Sequence, residues 1–285
     1  MLVSSQKLLK NARRGGYALG AFNTNDLEFT QAIIAAAEKL SSPVIVQTSP
    51  KALEYAGAEE LLGIIQTLGK KSKCPVVIHL DHGKEPELVR QMIKLGLHTS
   101  IMFDGSALSF GENVKLTAEM VKLAHRAGMS LEAELGAIGG REDYVKSRME
   151  YTDPEQAADF VNETNCDSLA VAIGNVHGEK IKGEKLRFDI LESIAKLVAI
   201  PLVLHGSSNS TLEEFKKAIS MGVAKINIDT ELRQTFAKAN AGFAKKHPRE
   251  TDPRAIIGAS RDAVQKVVEA RIKDFGSAGE ARLSS

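Results

Sequence analysis

The sequence predicts an α/β protein, a (β/α)8 TIM barrel with an additional C-terminal helix. Three observations predict it. Short apolar runs alternate with longer amphipathic stretches eight times along the 285 residues. The runs are short and mainly apolar, as strands covered on both faces should be. No G-x-G-x-x-G follows the first run, where "AFNTNDLE" stands instead, so the main signature of a doubly wound open sheet is missing. Eight consecutive βα units close most economically into a barrel.

In order, the predicted strands span 17–22, 43–49, 75–81, 99–105, 129–136, 167–174, 200–206 and 224–230. The helices that follow them span 26–40, 57–71, 85–96, 111–128, 153–164, 187–198, 210–222 and 231–246, and a last amphipathic stretch, 260–276, supplies the extra helix. Asp26 stands near the start of the first helix. Gly96, Gly128 and Gly222 fall where helices stop, as C-cap glycines do. In "STLEEF", Ser210 and Glu213 have capping-box spacing. With no linker, low-complexity tract or short repeat, residues 1–285 read as one domain. The longest loop, 137–152, follows the fifth strand. It is polar and opens on two glycines, as loops that close over a barrel mouth often are.

Composition excludes several classes. Lys and Arg number 37 against 36 Asp and Glu, so no strongly charged surface for nucleic acid or anionic membrane is expected. "MLVSSQKLLKNARRGG" has no apolar core long enough for a signal peptide, and no run approaches a membrane span of ~20 apolar residues. Two cysteines, Cys74 and Cys166, make no disulfide framework. A cytoplasmic protein is expected.

In a barrel enzyme the chemistry lies at the C-terminal ends of the strands. Polar residues stand at these ends: Asn23; Gln47 and Ser49; Asp81 and His82; Asp104; Glu132 and Glu134; Asn227 and Asp229. Three of the seven histidines, His82, His177 and His205, fall there too. Three imidazoles converging on one axis would suit a zinc ion with a position open for substrate. Each histidine alone is more often a structural hydrogen-bonder. Asp81 and His82 also pose a geometric question, since strand neighbours point to opposite faces; Gly83 could relax the backbone there. "GNVHG", "HGSSN" and "NIDT" are turns rich in small residues, a composition suited to phosphate or simply to turning the chain. His79, on the face of Asp81, reads as a buried structural histidine.

Taken together, "HLDHG", "MFDGSAL", "EAELGAIGGRED", "YTDPEQA", "AIGNVHG", "LVLHG", "KINIDTELR" and "DPRAIIGASRDAV" resemble the class II, metal-dependent ketose-bisphosphate aldolases. The resemblance spans nearly the whole chain. It implies reversible cleavage of fructose or tagatose 1,6-bisphosphate to dihydroxyacetone phosphate and glyceraldehyde 3-phosphate through a zinc-stabilised enediolate. It implies Zn2+ on His82, His177 and His205, a second divalent metal position at Asp104 and Glu134, and in some members a monovalent cation, Na+ or K+. Asp81 becomes the acid/base at the C4 hydroxyl, and Glu142 the base that deprotonates the triose. The triose-phosphate site maps to Gly178, Gly206, Ser207 and Ser208, and to Asn227, Ile228, Asp229 and Thr230. Asn23, Gln47 and Ser49 fall on the substrate side, and Arg261 is a phosphate contact that would favour a bisphosphate. A homodimer or homotetramer is implied.

The chain departs from the family in "HGSSN", where Ser207 and Asn209 stand for glycines and Ser207 threatens to crowd the phosphate. Three other readings compete. Lys225 shares a face with Asn227 and Asp229 and is a candidate Schiff-base nucleophile. The chain is otherwise a zinc lyase for another phosphorylated ketose, or a non-catalytic barrel that binds phosphosugar.

Overall fold

Eight parallel strands close a barrel in the computed structural model, which describes residues 1–142, 145–147, 149–178, 185–208 and 210–281. For 140–142, 145–147 and 177 the description is of the backbone. The barrel strands are β1 (Leu19–Asn23), β2 (Val44–Thr48), β3 (Val76–Gly83), β4 (Ser100–Phe103), β5 (Ser130–Leu135), β8 (Ser168–Val171), β10 (Leu202–Leu204) and β11 (Val223–Ile228). Their order around the wall is β1-β11-β10-β8-β5-β4-β3-β2, so each strand neighbours the next barrel strand in sequence and the last closes on the first. This is the βα repeat carried round to closure.

Helices α2 (Leu27–Lys39), α4 (Ala58–Lys71), α5 (Pro86–Leu95), α6 (Phe110–Arg126), α7 (Pro154–Thr164), α8 (Phe188–Leu197), α9 (Leu212–Ser220) and α10 (Thr230–Lys246) follow the strands, and α11 (Pro253–Asp274) is the extra C-terminal helix. Their starts are chemically explicit. The Asp26 carboxylate accepts from Phe29 N at 2.8 Å, and proline opens α5, α7 and α11, where its missing N–H leaves no orphan donor. Gly96 ends α5 in the left-handed region, at φ +71°. The capping box before α9 is Thr211 with Glu214, one residue beyond the predicted pair, because Thr211 is the residue left extended at the helix entry. The outer faces of the strands meet these helices in one apolar layer that includes Phe22, Phe103, Phe160 and Phe215, each fully buried. Burial of one such side chain stabilises the fold by about 1.5–3 kcal/mol.

Four features add to the predicted repeat. Helix α1 (Ser5–Gly15) lies under the barrel and buries Leu8, Leu9 and Ala12 against Leu19, Ala21, Ile45 and Val77. Its first residue bonds to the starts of two strands: Ser5 Oγ lies 2.7 Å from Ser130 Oγ and 3.2 Å from Ser100 Oγ. A short helix, α3 (Pro50–Ala56), precedes α4. The long loop after β5 contains β6 (Gly139–Glu142) and β7 (Val145–Ser147), which pair antiparallel, and β6 also pairs with β9 (Val176–His177). The C-terminal helix begins at Pro253, several residues before the predicted start, with Asp252 as its cap.

Candidate active site

The chemistry-bearing residues gather at the C-terminal mouth of the barrel. Asp81 and His82 sit at the end of β3, and the face problem they raised has a backbone answer. His82 takes φ +48°, the left-handed region, and the pairing of β3 with β4 shifts register between Leu80 and Gly83. The alternation of a regular strand is broken there. Asp81 therefore turns toward β1, β2 and β11, and His82 toward β4 and β5. Gly83 has a role different from the one expected. It carries no positive φ among the described residues; instead, a Cβ at this position would stand 2.7 Å from Met102 O and 2.7 Å from a Val89 methyl. The glycine gives space for β4, while the histidine itself takes the unusual conformation, at a cost of about 1–3 kcal/mol.

The Asp81 carboxylate is held by three side-chain amides. Asn23 Nδ2 donates to Oδ2 at 3.0 Å, Gln47 Nε2 to Oδ2 at 3.1 Å and Asn227 Nδ2 to Oδ1 at 3.0 Å. Gln47 also donates to Asn23 Oδ1 at 2.6 Å. One face of this unit opens on a pocket lined by Asn23, Asp81, Gly178, Gly206, Ser208, Asn227, Asp229 and Thr230, all anticipated, and by Val176 and Arg233, which were not. Arg233 lies one turn into α10 and its guanidinium meets Asp229 Oδ2 at 2.5 Å.

The other side carries imidazoles and carboxylates. His82 Nδ1 faces Asp104 Oδ2 at 2.9 Å and Glu134 Oε2 at 3.6 Å. His82 Nε2 faces His205 Nδ1 at 2.8 Å, and His205 Nε2 faces Glu132 Oε1 at 3.0 Å. All five side chains are buried. Burial alone would raise the Asp104 carboxyl, but the hydrogen bond and charge of His82, Ser106 and Lys84 hold it well below the usual range. Burial would likewise raise Glu132; Lys225, then His205, hold it down. His205 is pushed below its ordinary value by burial, against the pull of Glu132 and with the help of His82, and so is a neutral imidazole.

This donor set fits a metal ion. Ligand atoms of Asp81, His82 and His205 lie within 4.8 Å of one another, and so do those of His82, Asp104 and Glu134. His82 bonds to a carboxylate through Nδ1 and His205 through Nε2, so the lone pairs of the two remaining nitrogens face each other at 2.8 Å. A cation between them satisfies both. Carboxylates behind metal-ligating imidazoles are the usual outer support of such sites.

Other predicted residues fall as follows. The backbone of His177 lies in β9, and Val176 N donates to Gly206 O at 3.3 Å, so this strand passes beside the mouth. The backbone of Glu142 ends β6. The side chains of both residues, and all of Asn209, lie outside the described residues. Ser207 is buried with its hydroxyl turned onto Asn227 O at 3.3 Å, away from the pocket it was expected to crowd. Ile228 packs its side chain in the apolar layer. Ser49 caps α3 by accepting from Ala52 N at 3.3 Å. Arg261 is on α11, bonded to Asp262 and Gln31 rather than lining the pocket. Lys225, the Schiff-base candidate, is 1 % exposed with its ammonium on Glu132, and it does not line the pocket. Two residues given no role from sequence, Glu132 and Arg233, thus touch the site or its supports, and Lys225 does so in a role other than the one expected. Only Glu132 carried a signal, as an acidic strand end.

A closed βα barrel with buried histidines, carboxylates and a small-residue pocket at one mouth defines a metal-assisted barrel enzyme. Comparison with known proteins names the family. The family model described as "Fructose-bisphosphate aldolase class-II" matches residues 3–280, and the chain belongs to that family. It is 45 % identical over 285 residues to a fructose-bisphosphate aldolase of Geobacillus stearothermophilus, covering 98 % of this chain and 99 % of that one. Among solved structures it is similar to the YdjI aldolase of Escherichia coli K12, at 36 % identity and a TM-score of 0.87, covering 99 % of this chain and 100 % of that chain. It is also similar to a putative fructose-1,6-biphosphate aldolase of Coccidioides immitis, at 34 % identity and a TM-score of 0.89, covering 96 % of each. The protein is an aldolase, a carbon–carbon lyase, of a family that depends in general on zinc. No helix among the described residues is long and apolar enough to cross a membrane.

Proposed function

We propose that the protein reversibly cleaves a ketose 1,6-bisphosphate, fructose or tagatose, between C3 and C4, releasing dihydroxyacetone phosphate and glyceraldehyde 3-phosphate. One observation carries the reading: Asn227 Nδ2 donates to Asp81 Oδ1 and stands 3.2 Å from His205 Nδ1. A pocket residue thereby ties the candidate base to a candidate metal ligand. His82, His205 and His177 would hold the zinc, with Asp104 and Glu134 as a second divalent position. Bound there, zinc would supply a Lewis acid for the C2 carbonyl.

The remaining chemistry belongs to the chain. Asp81, fixed by three amides, takes the C4 hydroxyl proton in cleavage and returns it in condensation. Asn23 and Gln47 keep its carboxylate from swinging away. Gly178, Gly206, Ser208 and Thr230 surround the phosphate, with Asp229 holding Arg233 beside it. The start of α10 adds its N–H groups, which favour an anion. Glu142, in the loop that follows β5, removes the proton from the triose once substrate is bound. A single-domain chain, assembled in two or four copies in the cytoplasm, and a monovalent cation by the phosphate belong to the same reading. The family resemblance supports them.

The test is to assay both bisphosphates and compare kcat/KM, which assigns the C4 stereochemistry. Cleavage of neither, by zinc-loaded protein, would leave a lyase for another phosphorylated ketose or a barrel that only binds phosphosugar.

A further inference from the structure

Beneath the pocket, inside the barrel, lies a buried charged cluster that the proposed reaction does not use. The Lys225 ammonium donates to both oxygens of Glu132 at 2.9 Å and to His79 Nε2 at 3.2 Å. Lys225, Glu132 and His79 are each 1–2 % exposed. A buried ion pair is weak grounds for stability, since apolar side chains of similar size often serve as well. Its place here calls for another reason, and the neighbouring hydrogen bonds supply one.

An ammonium only donates. His79 Nε2 must therefore accept, which leaves its Nδ1–H to donate to Ser100 Oγ at 2.8 Å. Burial and the Lys225 charge keep this ring neutral, as that bonding requires. Ser100 in turn meets Ser5 of α1, so the chain of contacts is rooted in the helix that closes the bottom of the barrel. Glu132, with both oxygens on the ammonium, has only acceptor sites to offer His205. The His205 nitrogen at 3.0 Å, Nε2, must carry the proton. On the other side of the ring, His205 Nδ1 faces His82 Nε2 at 2.8 Å.

We propose that Glu132, held in place by Lys225 and His79, is a positioning group that locks His205 in its Nε2–H form and so presents Nδ1 to the metal ion. The proposal rests on His205 being a metal ligand. It gives His79 a function as the strut that orients the ammonium, and it makes Lys225 a structural cation of the metal centre rather than a nucleophile.

The test begins with the wild-type, zinc-free protein. Nitrogen-15 spectra of its imidazoles should assign His205 as the Nε2–H tautomer; an Nδ1–H assignment would overturn the proposal. Next comes the neutral double variant K225M/E132Q, which leaves no buried charge unpaired and so keeps the fold. Its zinc dissociation constant, read by chelator competition, should rise about 10–100-fold, the range for lost outer support of a metal ligand. Its melting temperature without zinc should stay near wild type. H79N should give a smaller rise in the same direction. Zinc affinity in the double variant within twofold of wild type would overturn the proposal. The variant H205A separates the two readings. If it still binds zinc at full stoichiometry and affinity, His205 is no ligand and the site assignment fails first; if it loses zinc while K225M/E132Q does not, the positioning role alone fails.

Discussion

His82 Nε2 stands 2.8 Å from His205 Nδ1, with the two rings 74° apart. The two residues come from different strand ends, and each ring has its other nitrogen on a buried carboxylate. Backbone and side chains together produce this meeting. Were His82 in a regular strand, its ring would point away from the mouth that Asp81 occupies. The left-handed turn at His82 allows both to serve one site, Asp81 on the substrate hydroxyl and His82 on the metal.

Asp81 and Glu142 should be separable from the metal. Asp81→Asn keeps the side-chain shape but loses the base, and kcat should fall about 10²–10⁴-fold, the usual worth of general acid–base catalysis. Zinc content, measured by atomic emission, should stay at the wild-type stoichiometry. Loss of zinc would instead make Asp81 a ligand. Glu142→Ala should stop exchange of the dihydroxyacetone phosphate proton with solvent while zinc remains bound, and unchanged exchange would remove Glu142 from its role.

Gly83→Ala tests the packing behind His82. The new methyl would lie 2.7 Å from Met102 O, a backbone atom with little room to move. Overpacking of this kind costs about 1–3 kcal/mol. Denaturant unfolding of the zinc-free variant should show that loss, and zinc should bind more weakly because β3 shifts at the ligand. Wild-type stability would contradict the close approach of β3 and β4.

Arg233→Ala tests the cation at the pocket. The pairing with Asp229 is partly exposed and is worth little to the fold. The guanidinium's value lies in meeting phosphate, so KM for the bisphosphate should rise about tenfold, equivalent to ~1.4 kcal/mol. The melting temperature should hardly change. An unchanged KM would leave the phosphate to backbone groups and hydroxyls alone.

His98 should make the fold acid-sensitive. Burial pushes its pKa down to about 3, from 6.5 in an open chain. The unfolded chain therefore takes up this proton first as pH falls. The neutral ring's contribution is complete above pH 6.5 and is lost between there and about 3. The slope is about 1.4 kcal/mol per pH unit. Unfolding free energies of zinc-free protein between pH 6.5 and 4.5 should fall less steeply in His98→Phe, whatever its absolute stability. Equal slopes would mean that His98 is protonated in the fold.

The barrel was legible because most of its strands are apolar runs and several helices have a start or stop signal, such as Asp26 or Gly96. Helix α1 was not, because its pattern at the chain start resembled no strand–helix repeat and its apolar face is seen only once Leu8 and Leu9 meet the barrel floor. At the site, Asp81, Asn23 and Asn227 were readable as polar residues at strand ends. The Lys225–Glu132–His79 cluster was hidden, because a lysine inside a strand pairs with a glutamate 93 positions away and only closure brings them to 2.9 Å. Arg233 was hidden for a related reason: one arginine on a polar helix carries no local mark of the pocket its first turn faces. The left-handed turn fell on His82 rather than Gly83, since the crowding of β4 against β3 fixed where the glycine was needed.

The most direct test of a zinc-dependent aldolase is cleavage of fructose and tagatose 1,6-bisphosphate before chelation, after exhaustive chelation, and after zinc is restored. Cleavage of one bisphosphate should be lost with the metal and return with it, and borohydride should trap no substrate on Lys225 at any stage. Full activity in zinc-free protein, or a trapped adduct on Lys225, would contradict a zinc-dependent aldolase.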